Sequence, residues 1–489
     1  MRGTCLRLLA VLAVIALGYA VTAASGQGAG AQVPEPPLLS GQKPFNLSLE
    51  ETRQYSRSLG FEVVGHNYFK GEWVAPVSRQ KGMGCGFNGV RVFQGVGYFA
   101  GYDDPPTCFG VMIADVTNPA DMRPLSFIPC NPGTRCNYLR VNPGRKILAI
   151  GMDTNAANPR QPTGGAVAQA GFAFYDVSNP RQPRFLSFYL TQPHGATHGF
   201  DLDDRYLYGC ATAAQTRSGN HEVMILDYND PQHPSLVSQF HIQGQYLDET
   251  FAPQDQKNLD GSPQRVWCHE IVYFKDRIYV AYRDAGMVVL DVTDRANPKQ
   301  ISRFDYVPPF HGGALGATHT VAPVVTDINK QPTLAVITDE IIACPPGFGR
   351  IVDFSDLTNP QVVSTLRIPH VTDNFDYRTG KFRCPDNGEY THLPWFDYRS
   401  PSLLYIAWIN QGVRAFDISN PFLPREVGYY LSPRYPGRFP NRQVREVFQD
   451  RATGLMFMTD GDGGGVTVLR WTGLIPPRPP VPAAVPGAR

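Results

Sequence analysis

Short apolar runs of roughly four to eight residues, alternating with polar positions and bounded by turn residues, recur along the chain and predict β-strands throughout. In Glu270-Ile-Val-Tyr-Phe-Lys-Asp-Arg-Ile-Tyr-Val-Ala-Tyr282 two such runs flank a charged turn, and Met287-Val-Val-Leu290 adds a third. After each third run comes a repeated phrase. Its copies are Asp115-Val-Thr-Asn-Pro119, Asp176-Val-Ser-Asn-Pro180, Asp227-Tyr-Asn-Asp-Pro231, Asp291-Val-Thr-Asp294, Asp353-Phe-Ser-Asp356 and Asp417-Ile-Ser-Asn-Pro421. Asp and Asn bond their own backbone and set a bend, and Pro cannot join a central ladder, so the phrase reads as a hairpin into a short outer strand such as Arg184-Phe-Leu-Ser-Phe-Tyr189. Four strands per repeat of roughly 40 to 50 residues make a propeller blade. Starts of first strands fall near Asn88, Asn137, His198, His269, His319, His392 and Arg445, which gives seven blades.

The last repeat ends after Gly465-Val-Thr-Val-Leu-Arg470 without the phrase or an outer strand. Gly60-Phe-Glu-Val-Val-Gly-His-Asn-Tyr-Phe69 has the outer-strand character of Arg425-Glu-Val-Gly-Tyr-Tyr430, so the N-terminal segment is expected to complete the last blade and remove the exposed edges. The fold class expected is all-β, one seven-bladed propeller over residues 60–472. An N-terminal arm (25–59) precedes it and a Pro-rich tail (473–489) follows.

Composition narrows the function. Basic and acidic residues balance, 44 against 43, with no long run of either sign, which argues against a nucleic-acid partner. The first residues place Arg2 and Arg7 before an apolar run from Leu8 to about Val21 and then small residues, the pattern of a secretory signal peptide over residues 1–24, cut after Ala24 or as late as Ala31. The mature chain is then expected to be exported, to the periplasm, cell surface or medium, with no transmembrane segment. Beyond Cys5 there are eight cysteines, so disulfides are expected. Cys130 with Cys136, around a Pro-Gly turn, and Cys344 with Cys384, across two long excursions, are the better pairings; the other four pair, bind metal or stay free.

The Asp-Val-Ser-Asn-Pro phrase, a short strand and a His-led inner strand together resemble the LVIVD-repeat family of exported propellers, over roughly residues 60–472. That resemblance implies the fold and leaves the reaction open, because a propeller hosts many chemistries.

The first-strand starts supply the candidate chemistry. In register they read Asn88, Asn137, His198, His269, His319, His392 and Arg445, with His in four consecutive blades. Two readings stand. The histidines are repeat residues that bond a neighbouring blade's backbone, or His198, His269, His319 and His392 converge on the channel mouth as ligands for Fe, Cu or Zn. An all-imidazole set would leave coordination positions open, suiting a metal-dependent oxidoreductase that acts on a small organic substrate. Arg445 could bind an anionic substrate group or pair with Glu446 or Asp450, and Asn88 and Asn137 would form a polar, uncharged wall. His194 and His311, in the similar loops Pro193-His-Gly-Ala-Thr-His198 and His311-Gly-Gly-Ala-Leu-Gly-Ala-Thr-His319, are candidate bases or further ligands. Glu270, Glu389 and Glu446 are candidate partners behind the ligands, although Glu270 and Glu446 directly follow column residues and should point elsewhere. The competing function is a non-catalytic propeller that binds a protein or glycan partner. Asp460-Gly-Asp-Gly-Gly-Gly465 lacks the spacing of a calcium loop and is expected to be a turn.

Overall fold

The computed structural model describes residues 45–477, together with 35–37 and 39. Excepted are stretches at 102–107, 155–168, 194–195, 217–220, 253–256, 258–263, 305–317, 342–345, 369–374, 377, 379–380, 383–389 and 435–442. The segment expected to be a signal peptide, and His194, His311, Cys344, Cys384 and Glu389 lie outside the described residues.

Seven antiparallel sheets, each built from four consecutive strands except where the N-terminus supplies one, stand in a ring. Their first strands are Phe87–Phe93, Arg135–Asn142, Thr197–Leu202, Glu270–Phe274, Thr318–Pro323, Thr391–Asp397 and Val444–Gln449. Each packs against the next, and the seventh packs against the first, which closes the circle around a central channel. Among the described residues, helix is confined to Leu49–Tyr55, Pro76–Gln80 and a short 3-10 turn at Pro119–Asp121.

The repeated phrase does two jobs. The carboxylate of Asp115, Asp176, Asp227, Asp291, Asp353 and Asp417 accepts from the backbone N–H two residues on, fixing the bend in all six copies. The carbonyl at the turn then receives a serine hydroxyl from the preceding blade's outer strand: Ser126 Oγ donates to Pro180 O at 2.6 Å, Ser187 to Pro231 O at 2.7 Å and Ser364 to Pro421 O at 2.5 Å. The phrase therefore turns the chain into each outer strand and, at these three junctions, also stitches one blade to the next.

Apolar residues fill the spaces between blades. One cluster joins Tyr208, Val223 and Ile225 of the third blade to Ile271, Ile278, Val280, Val288 and Leu290 of the fourth. Alternation along the strands puts each blade's two faces against its two neighbours, so no blade has a core of its own and the ring is expected to unfold as one body.

The ends meet as anticipated. Phe61–Asn67 pairs antiparallel with Gly465–Trp471 as the outermost strand of the seventh blade. Just before it, Arg57–Leu59 adds a fifth strand to the sixth blade, pairing with Arg425–Leu431, an addition the sequence pattern did not indicate. Asp460 to Gly465 is the expected turn, with Asp460 Oδ1 accepting from the N–H groups of Asp462 and Gly464.

Three disulfides occur among the described residues: the expected Cys130–Cys136, plus Cys85–Cys108 and Cys210–Cys268. Cys210 is the penultimate residue of the second strand of the third blade, Tyr206–Ala211, and Cys268 directly precedes His269. This bond closes a sequence separation of 58 residues, for which loop-closure entropy gives about 4 kcal/mol, although measured values more often fall at 2–4 kcal/mol. The double variant Cys210→Ala/Cys268→Ala is expected to lose about 3 kcal/mol in urea titration, whereas Cys130→Ala/Cys136→Ala, with a separation of only 6, should lose less.

Candidate metal centre at the channel mouth

The register column becomes a belt around the channel mouth. Asn88, Asn137, His269, His319, His392 and Arg445 are all under 5% exposed, and His198 is half-buried. Consecutive imidazoles are neighbours: ring centroids lie 4.0 Å apart for His198 and His269, 4.4 Å for His269 and His319, and 3.9 Å for His319 and His392.

One rule orients four of these side chains, each of which bonds the next blade's backbone. Asn88 Nδ2 donates to Asn137 O at 3.0 Å, His198 Nδ1 to His269 O at 2.9 Å, His269 Nδ1 to His319 O at 3.0 Å and His392 Nδ1 to Arg445 O at 2.6 Å. His319 departs from it. The carbonyl of His392 is taken by Thr338 Oγ1 at 2.5 Å, and His319 Nδ1 meets Thr320 Oγ1 at 2.7 Å instead. The structural reading of the column is thus correct as far as it goes.

The ligand reading gains from the same contacts. A carbonyl only accepts, so Nδ1 carries the proton in His198, His269 and His392, and in the neutral ring the lone pair then sits on Nε2. Burial holds the rings neutral. It pushes His392 down to about 3, with Arg445 adding to the effect, and holds His198, His269 and His319 well below the usual imidazole range, helped by neighbouring rings and guanidinia.

The expectation of four histidines around one ion needs correction. Among the described residues the group whose donor atoms all lie within 4.8 Å of one another is His269, His319 and Glu340. The four imidazoles follow the curve of the channel, so His198 and His392 flank this trio at the two ends of the arc. Glu340 follows the second strand of the fifth blade, Leu334–Asp339, and is buried. Its Oε2 lies 3.8 Å from His269 Nε2 and 2.7 Å from Arg283 Nη1. Burial pushes the Glu340 carboxyl up, but Arg283, with His392 and Arg445, outweighs it and keeps the group below its usual value, hence ionised.

Other sequence candidates are placed as follows. Arg445 is buried in the belt, donates from Nε to Gln443 Oε1 at 3.2 Å and lowers the pKa of His392 and His319. Glu446 instead binds Arg91 Nη1 at 2.7 Å and the Val90 N–H at 2.7 Å. Glu270 accepts from Arg140 Nη2 at 2.9 Å, and burial, against the pull of Arg140, pushes it up to about 8. Both glutamates point away from the imidazoles, as strand alternation requires. Gly199 makes room for one of them: a Cβ there would stand 2.1 Å from Glu270 Oε2.

Four residues of the site were missed: Glu340, Arg283, His221 and Trp267. His221 Nδ1 contacts the Cys268 carbonyl at 3.2 Å, and its ring lies 4.8 Å from that of Trp267, which itself stands 6.0 Å from His269. A signal existed. In a four-stranded antiparallel blade, the connection between second and third strands opens on the same face as the start of the first. Arg283 and Glu340 follow second strands and His221 precedes a third, Glu222–Asp227.

Fold and site together define a seven-bladed β-propeller with an imidazole-lined channel mouth. It carries LVIVD repeats: the family model described as LVIVD repeat matches residues 276–305 and 403–432, which are the second to fourth strands of the fourth and sixth blades. No curated protein matches the sequence. Solved structures similar in fold include a protein from Lactobacillus plantarum (9% identity, 71% of this chain and 88% of that one, TM-score 0.46). Others are a chain of the Mitotic Checkpoint Complex (9%, 90% and 96%, 0.48) and Sqt1 from Chaetomium thermophilum (11%, 79% and 83%, 0.47). None bears on the site.

Proposed function

We propose that the protein is an exported, metal-dependent oxidoreductase whose ion is held by His269, His319 and Glu340 and whose substrate is a small organic molecule entering at the channel mouth. The donor set carries the reading. His269 and His319 are neutral, the Nδ1 of each is engaged, and Glu340 supplies one ionised carboxylate within reach. Two imidazoles and a carboxylate with open positions are the set typical of non-haem Fe(II) oxygenases, and zinc and copper also accept it. A bound ion would supply Lewis-acid or redox chemistry at the open positions. The chain's own residues do the rest. The His319 carbonyl holds the His269 ring and Thr320 Oγ1 engages that of His319, and a hydrogen bond from Nδ1–H to a carbonyl raises the basicity of the other ring nitrogen. Half-buried His198 and Trp267 border the trio. Three disulfides, and no described helix long and apolar enough to cross a membrane, fit an exported protein.

The test is elemental mass spectrometry on protein isolated from the exported fraction, followed by oxygen-uptake assays on the iron-loaded form. About one equivalent of iron, copper or zinc, lost in His269→Ala/His319→Ala, is the expected result. Wild-type protein that stays metal-free after incubation with each ion would refute the reading and leave a partner-binding propeller in its place.

A further inference from the structure

The mouth carries more cationic side chains than the metal reading uses. Arg135, Arg283 and Arg445 come from the second, fourth and seventh blades, and all three lower the pKa of belt histidines. Arg135 is matched by Asp153, with Nε and Nη2 at 2.9 and 2.7 Å from Oδ2. Arg283 is held differently. It is 4% exposed, its guanidinium lies over the Trp267 ring at 5.1 Å, and its Nε–H is buried without a hydrogen-bond partner. Its charge is met by Glu340, the carboxylate of the metal trio. Its backbone also sits at φ 45°, a left-handed conformation that Gly or Asn adopts more cheaply, so the fold sustains strain there to keep an arginine in place.

An arginine buried on a tryptophan, with its Nε–H unused and its Nη1 paired by charge with a carboxylate wanted elsewhere, is a preformed receptor for a planar anion. We propose that Arg283 is the substrate-anchoring residue of this site and that the substrate is a small carboxylate, which replaces Glu340 as the partner of Arg283 when Glu340 turns to the metal. This rests on the metal reading for its place in the reaction, but the receptor is testable without metal, because Glu340→Gln removes the competing carboxylate directly.

The experiment titrates metal-free wild type and Glu340→Gln with acetate and with its neutral isostere acetamide, following Trp267 fluorescence by difference from the corresponding Trp267→Phe proteins. Glu340→Gln is expected to bind acetate at least about tenfold tighter than wild type, with no such gain for acetamide, and Arg283→Gln in the same background should remove the gain. The inference is overturned if Glu340→Gln binds acetate no better than wild type, or if the gain survives Arg283→Gln. Should Glu340→Gln not fold, wild type and Arg283→Gln are compared at high acetate. A preference for acetate over acetamide that Arg283→Gln abolishes supports the anchor, and equal behaviour of the two proteins overturns it. Metal uptake by the wild type, measured separately after incubation with each ion, distinguishes the two readings, since an Arg283-dependent acetate site in protein that takes up none of them refutes the metal centre and keeps the anchor.

Discussion

His269→Asn should bind a divalent transition metal at least about 100-fold more weakly than wild type while unfolding within about 1 kcal/mol of it. The belt itself motivates the choice of asparagine. At Asn88 a carboxamide already does the structural job of the column, donating from Nδ2 to the next blade's carbonyl at 3.0 Å, just as His269 Nδ1 donates to His319 O. Asparagine at 269 can keep that blade-to-blade bond but offers nothing in place of Nε2. His269→Ala removes both, leaves the buried His319 carbonyl short of a donor and should cost a further 1–3 kcal/mol. His198→Asn and His392→Asn, at the ends of the arc, are expected to lower metal affinity by tenfold or less. Equilibrium dialysis with Zn(II), and with Fe(II) under anaerobic conditions, reads the affinities, and urea titration reads the stabilities. If His269→Asn binds metal as wild type does, the column is purely structural and the repeated histidine needs no chemistry to explain it.

The fold was legible because its signals are local and repeated. An Asx turn needs only two residues to declare itself, and its six copies mark the repeat within which seven first-strand starts can be counted before any contact is known. The histidine register was legible for the same reason, since first-strand starts can be aligned on the turns. What escaped was the material between repeats. Glu340, Arg283 and His221 sit on connections that differ in length and wording from blade to blade, so no column exposes them, and only the topological rule that second-to-third connections share a face with first-strand starts would have brought them forward. The expectation of four ligands failed for a geometric reason. Residues in one register of a propeller lie on a circle and not at a point, so two neighbours come within reach of one ion more readily than four, and the third donor of the candidate group comes from the adjacent strand end. Glu270 and Glu446 show the reverse case, where strand alternation alone correctly predicts that they turn away.

Ring closure makes the other large prediction. Deleting residues 57–67 should leave no folded monomer, because it strips the outer strand from the seventh blade and leaves Gly465–Trp471 as a bare edge with its ladder unpaired. The strand buries Phe61, Val63 and Val64, each worth about 1.5–3 kcal/mol. Their sum is comparable with the whole net stability of a typical domain. Single substitutions should grade the effect. Phe61 packs edge-on against Trp471 at 4.9 Å and also against Tyr405 at 5.9 Å in the sixth blade, so it ties two blades together at the seam, and Phe61→Ala is expected to cost about 3–5 kcal/mol. Leu59, two residues earlier on the added fifth strand, is 56% exposed, and Leu59→Ser should change stability by less than about 1 kcal/mol. The contrast within one short arm separates closure from mere attachment. Urea titrations in which both variants unfold alike, with Phe61→Ala within about 1 kcal/mol of wild type, would mean that the ring is held by its inter-blade packing and that the N-terminal strand only covers an edge.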